Sequence, residues 1–230
     1  MKYDAIKKVY QDTVGKQLAD IQQHKYYRYV IVAALGLFVL GGAAYSYRWW
    51  SQRAEQNAQK ALSECVYAYQ QALEGKDESW SHVSMLCSFG YEQHKSSSLA
   101  PYFKVFYADA VLREGDTQKA LETLDEAITS LPTNSPFVYV YKTKQALMRL
   151  DAEDNKIQEE GLTSLRELAD NKENKNRDFA LYYLGLYYWS QDAVAEATKV
   201  WQTLVDDFKH EKLGQSPWAQ MAESKLEQIA

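Results

Sequence analysis

The sequence predicts an all-α protein: an N-terminal transmembrane helix, a stack of about four helical hairpins, and a C-terminal capping helix. Three observations carry this. Residues 29–47 read YVIVAALGLFVLGGAAYSY, a run without a single charge. Beyond them, apolar residues recur at three- and four-residue spacing, with no convincing alternating stretch. Small and aromatic residues then repeat in register along that region. Ten Gly and four Pro in 230 residues are too few for many short strands and turns.

At about 1.5 Å rise per residue the uncharged segment approaches the ~30 Å hydrocarbon core of a bilayer. Tyr26, Tyr27 and Tyr29 flank one end, and Tyr45, Tyr47, Trp49 and Trp50 the other, as aromatic belts do at the two interfaces. Two other readings compete. A buried core helix rarely carries both belts. A cleaved signal peptide fits the small Gly41, Gly42, Ala43 and Ala44, but the segment in front, Met1 to Arg28, is longer than a usual n-region.

Residues 1–28 hold Lys2, Lys7, Lys8, Lys16, Lys25 and Arg28 against Asp4, Asp12 and Asp20, a net +3. The other flank has Arg48, Arg53 and Lys60. The positive-inside rule makes residues 1–28 a cytoplasmic tail, 29–47 the span, and 48–230 a periplasmic domain at a bacterial inner membrane. In the tail, Ile6, Val9, Tyr10, Val14, Leu18 and Ile21 fall mostly at helical spacing, so it could lie on the membrane or dock on a partner. Residues 48–230 hold 20 basic and 28 acidic side chains, −8 in all and without a basic run. That excludes nucleic acid as a natural partner, because phosphate contact needs a dense Lys/Arg face.

The hairpins are read in order. Residues 54–95 form a helix pair turning at Gly75, Lys76 and Asp77. Later, Leu181-Tyr-Tyr-Leu184-Gly185-Leu-Tyr-Tyr188 is followed by Ala197-x-x-x-Trp201. This matches the tetratricopeptide (TPR) pattern W-x2-L-G-x2-Y with A-x3-F. Small residues let two antiparallel helices approach, and large rings fill the space between them. A second copy lies earlier in the chain and in the same register: Ala108, Val111, Ala120 and Leu124, with Ala127 and Pro132, and a turn at Gly115-Asp116. Between them is a looser copy, with Ala146 in its first helix and a second helix over 157–170 that points Gly161, Leu165 and Leu168 inward. Residues 216–229 close the stack, with Gln220, Glu223, Lys225 and Glu227 on an outer polar face, as a cap requires. Together these give a short TPR-like α-solenoid.

Cys65 and Cys87 lie equally far along the chain from Lys76, one on each side, so an antiparallel hairpin places them face to face. Either they form a disulfide or they are two buried thiols. They make no CxxC or Cys/His array of a zinc site. His24, His82, His94 and His210 are scattered, and no nucleophile elbow, HExxH or phosphate-cradling loop occurs. Ser96-Ser97-Ser98 reads as a helix start, and pairs such as Asp206-Asp207 as solvated faces. The chain is therefore read as an interaction protein without cofactor or catalytic residues.

First helices of such hairpins line a groove. Here they carry Tyr102, Val105, Asp109 and Arg113, then Thr143 and Leu147, then Phe179, Tyr182, Leu186 and Trp189. Rigid amphipathic rings suit an extended or apolar peptide. The structural alternative is that many of these side chains pack against the next hairpin.

The layout of a short N-terminal tail, one Gly/Ala-rich span, Arg48-Trp49-Trp50, an Ala/Gln-rich helix and a TPR-like domain resembles the ancillary-subunit family of the bacterial SecYEG translocon, the YfgM-like family. The likeness runs from about Tyr27 to Ile229; the chain departs in its longer tail, its two cysteines and its many Tyr and Trp. The resemblance implies association with the SecYEG translocon and with a membrane-anchored periplasmic peptidyl-prolyl isomerase, and assistance to exported polypeptides. The alternative is a structural TPR adaptor in another envelope complex, such as division, outer-membrane assembly or a secretion apparatus.

Overall fold

The structure is a computed structural model that describes residues 27–76, 79–132, 134–208 and 216–229. The expectations for the tail, for Tyr26 and for His24, Asp77 and His210 lie outside these residues. The described residues contain nine helices and no strand: α1 (Tyr27–Leu73), α2 (Trp80–Gln93), α3 (Ala100–Arg113), α4 (Thr117–Ser130), α5 (Val138–Leu150), α6 (Asn155–Asp170), α7 (Arg177–Ser190), α8 (Val194–Phe208) and α9 (Pro217–Ile229). The chain divides into two units, Met1–Ala54 and Glu55–Ala230.

In the first unit, α1 supplies one helical segment long and apolar enough to cross a membrane, with none of its apolar window buried. Leu37, Phe38 and Leu40 are each more than two-thirds exposed. Such a surface is unfavourable in water and favourable in hydrocarbon, where the helix satisfies its own backbone. Between Tyr47 and Leu73 there is no Gly or Pro to break the helix, so α1 continues past the last uncharged residue. The second unit begins at Glu55, beyond the boundary drawn at Tyr47. The return of charge marks the end of the apolar run, whereas Arg48–Ala54 are exposed and packing starts only afterwards.

In the second unit each helix from α2 onward packs on the next, α5 also touches α7, and α7 touches α9. Side chains join α1 to α3 through Tyr69 and Phe106, 5.2 Å between ring centres, and α3 to α5 through Tyr102 and Tyr141, at 6.4 Å. The odd-numbered helices thus lie side by side along one flank.

Local chemistry sets the ends. Gly75 and Gly115 take positive φ, 67° and 95°, in the turns that follow α1 and α3. The Asp116 carboxylate accepts from the backbone N–H of Lys119, capping α4. Asp154 caps α6 in the same way from Lys156 and Ile157, which starts that helix at Asn155, ahead of the apolar pattern that begins at Ile157. Ser97 accepts from the Leu99 N–H ahead of α3.

Three close crossings follow from small residues. Ala108, Ala120 and Leu124 are fully buried between α3 and α4. At Gly185 a Cβ would run into the indole of Trp201, which is itself fully buried. At Gly161 a Cβ would sit 2.8 Å from the Ala146 carbonyl and 2.9 Å from the Leu150 nitrogen. Those are backbone atoms of α5 and cannot turn aside. Gly161→Ala is therefore expected to destabilise the domain by about 1–3 kcal/mol, against the ~1 kcal/mol that alanine gains in a helix interior. An unchanged urea midpoint would show that α5 and α6 can separate freely.

Cys65 and Cys87 are joined in a disulfide with Cα atoms 5.2 Å apart, both sulfurs buried beside Ala68, Ala72, Val83 and Phe103. Tyr69 of α1 also meets Trp80 of α2 edge-on, 5.7 Å between ring centres.

Candidate functional site

The flank of odd-numbered helices carries two aromatic groups, and they differ in what covers them. In the N-terminal group, Tyr102 of α3 meets Phe137 at 5.9 Å and Tyr141 of α5 at 6.4 Å, both edge-on, while Phe137 stacks on Tyr141. Phe137 remains 45% exposed while Tyr102 and Tyr141 are half-buried, so the trio offers a partner mainly the Phe137 ring. Beside it Tyr69 meets Trp80 and Phe106 edge-on, and the Arg113 guanidinium lies 5.6 Å over the Trp80 ring.

Asp109 anchors the floor. It is buried, accepts a hydrogen bond from the Tyr69 hydroxyl at 3.1 Å, and pairs with the Lys144 ammonium. Its carboxylate therefore ties α1, α3 and α5 together. A buried carboxylate with two donors is satisfied; with none it would be costly.

Burial, with Asp109 beside it, raises the Tyr69 phenol well above its ordinary value. Burial first, then Tyr102 and Asp109, pushes Tyr141 up to about 12. The folded state thus holds these protons more tightly than the unfolded chain. The corresponding stability is complete below the ordinary tyrosine value of 10.0 and is lost as pH rises through about 12. Urea midpoints across the alkaline range should fall in the wild type and fall less in Tyr141→Phe. Parallel curves for the two proteins would show that Tyr141 does not contribute.

The C-terminal group is closed. Trp218 of α9 lies 5.0 Å from Phe179, 5.3 Å from Tyr182 and 5.8 Å from Tyr183. Ser216, at the start of α9, donates to the Asp178 carboxylate at 2.6 Å, and Ala219 and Ala222 are fully buried. The chain's own last helix thus occupies the α7 end of the flank.

The groove residues expected from the sequence divide accordingly. Tyr102, Asp109 and Arg113 come together in the open group. Val105 is buried against α4 and α5, and Thr143 is fully buried with its hydroxyl donating to the Tyr139 carbonyl at 2.9 Å. Leu147 and Leu186 are half-buried against the C-terminal core. Phe179 and Tyr182 lie under Trp218. Trp189 is 37% exposed and rests against Trp201, 6.0 Å between ring centres. A Tyr182→Ala change therefore disturbs packing rather than a free surface.

Sequence reasoning missed Tyr69, Phe137, Tyr141 and Lys144 as members of the open group. Tyr141 and Lys144 follow the three- and four-residue spacing of α5, which was the usable signal. Phe137 is the N-cap of α5, four residues before Tyr141, so the same spacing extends to it just outside the helix.

At the boundary of the second unit, Glu55 accepts from the Ser97 hydroxyl at 2.8 Å and from the Ser98 hydroxyl. The Ser98 bond above all, with Ser97 adding, holds the Glu55 carboxyl below its ordinary value against the opposing effect of burial. Among the described residues no three His, Cys, Asp or Glu side chains converge as metal ligands. No protein-family model matches the chain, and no curated protein matches it.

Proposed function

We propose that the chain is a membrane-anchored, TPR-like scaffold that assists newly exported proteins at the exit of the Sec translocon through protein–protein contact. The apolar part of α1 spans the inner membrane once, the preceding tail is cytoplasmic, and the hairpins are periplasmic. The reading is carried by one observation: an exposed apolar helical segment continues in the same chain into helical hairpins whose flank leaves Phe137 exposed beside the half-buried Tyr102 and Tyr141. The buried Cys65–Cys87 disulfide supports the periplasmic side, since such bonds persist in oxidising compartments. The span supports the role as well, because a tether raises the effective concentration of a weak site near its partners.

A specific observation favours the second reading, an adaptor in another envelope complex. Trp218 closes the α7 end of the flank, so the open aromatic surface is short. A short surface suits one defined docking segment better than many unfolded clients.

The test is affinity capture of the full-length chain from membranes in mild detergent. Recovery of translocon subunits or a membrane-anchored periplasmic isomerase is the expected result. Recovery of a different envelope complex without them would transfer the role to the adaptor. Phe137→Ala, combined with Tyr102→Ala, should weaken capture by about tenfold or more, with helical content unchanged. Equal capture would remove the aromatic trio from the site.

A further inference from the structure

We propose that the outer face of the α1–α2 hairpin is a homodimer interface, on which a second copy of this chain seats the same face. The opposite face of the hairpin is used within the chain: Cys65, Val83 and Cys87 pack with Phe103 and Ala110 of α3. The outer face has no such cover. Tyr67 is 63% exposed, Met85 57% and Phe89 59%. Residues 82, 85, 86 and 89 share one side of α2, as 60, 63, 64 and 67 share one side of α1. Between these rows runs an open groove of about 570 Å³ lined by Ser63, Glu64, Tyr67, Ala68, His82 and Leu86.

The position of this face in the stack narrows the occupant. In a linear array of helical hairpins each unit covers the apolar side of the next, and the end units need polar outer faces. The C-terminal end meets that need: Gln220, Ser224, Glu227 and Gln228 are exposed on α9, with Met221 the apolar exception. The first hairpin does not meet it. Head-to-tail stacking of copies would set Tyr67, Met85 and Phe89 against that polar face and leave them poorly matched. A two-fold arrangement sets the apolar face against its equal, which is how an isologous contact works.

Charge supports the same occupant. Lys60 and Glu64 lie one turn apart on the α1 side of this face, both exposed, and neither belongs to an ion pair among the described residues. Two-fold pairing offers the Lys60 of each copy to the Glu64 of the other. Confinement of copies to one membrane by the apolar span would favour a modest interface of this kind.

The experiment uses the full-length chain in detergent micelles at micromolar concentration, with mass measured by light scattering. The wild type should be dimeric, and a benzophenone amino acid replacing Met85 should crosslink copy to copy on illumination. Phe89→Glu should raise the dissociation constant by about tenfold or more, with no change in unfolding midpoint or in capture through Tyr102 and Phe137. Should Phe89→Glu lower the midpoint, Met85→Lys gives the same reading at a second exposed position. A monomeric wild type, a variant that dimerises as tightly as the wild type, or crosslinking only to lipid or to another protein would each overturn the proposal.

Discussion

Trp201→Ala is expected to remove about 3–5 kcal/mol of stability, enough to unfold a domain of ordinary marginality. The indole is the largest fully buried side chain of the domain and lies over Gly185, where no Cβ leaves room for it. Its Nε1 donates to the Tyr182 carbonyl at 3.2 Å, so truncation also removes the partner of a buried acceptor. Leu181, Leu184, Leu204 and Val205 share its cluster and would line the resulting cavity. Helices α7 and α8 cannot close that space quickly, because each also packs against α9. Urea unfolding followed by far-ultraviolet dichroism reads the effect directly. A loss below about 1 kcal/mol would mean that the site collapses without a void. The complementary change, Gly185→Ala, should destabilise through overpacking by a smaller amount, about 1–3 kcal/mol.

Removing the disulfide is the second large effect. Cys65 and Cys87 are 22 residues apart, and a loop of that size corresponds to about 3 kcal/mol of lost denatured-state freedom. The bond sits among the small side chains Ala68 and Ala72 of α1, with the Tyr69–Trp80 ring contact as the larger apolar link between α1 and α2. Cys65→Ala together with Cys87→Ala, or reduction after unfolding, should lower the urea midpoint accordingly. Because both sulfurs are fully buried, alkylation of the native protein should be blocked until it is both reduced and opened. Alkylation of the unreduced, denatured protein at both cysteines would show that the bond does not form. A domain that keeps its stability in reductant would deprive the periplasmic assignment of one of its supports.

The same residues show how far the sequence can be read. The uncharged run from Tyr29 to Tyr47, the Gly75 and Gly115-Asp116 turns, and the small residues Ala108, Ala146, Gly161 and Gly185 are all local signals. They depend on spacing within one helix or one hairpin, and the structure uses each of them that way. The facing of Cys65 and Cys87 was legible for the same reason, since equal distances from a turn put two residues opposite each other.

The open part of the flank was not legible. Tyr102 and Phe179 occupy equivalent places in the two matching repeats, yet Tyr102 meets a partly exposed Phe137 while Phe179 is covered by Trp218. Asp109 reads from the sequence as a groove residue on α3, and only the fold buries it between Tyr69 and Lys144 from two other hairpins. The sequence by itself therefore determined which segments are helices, where they turn, and which side of each is apolar or small, because periodicity and backbone chemistry act within a few residues. Only the tertiary structure decided which of those apolar sides stay open, because that depends on which distant helix reaches them first.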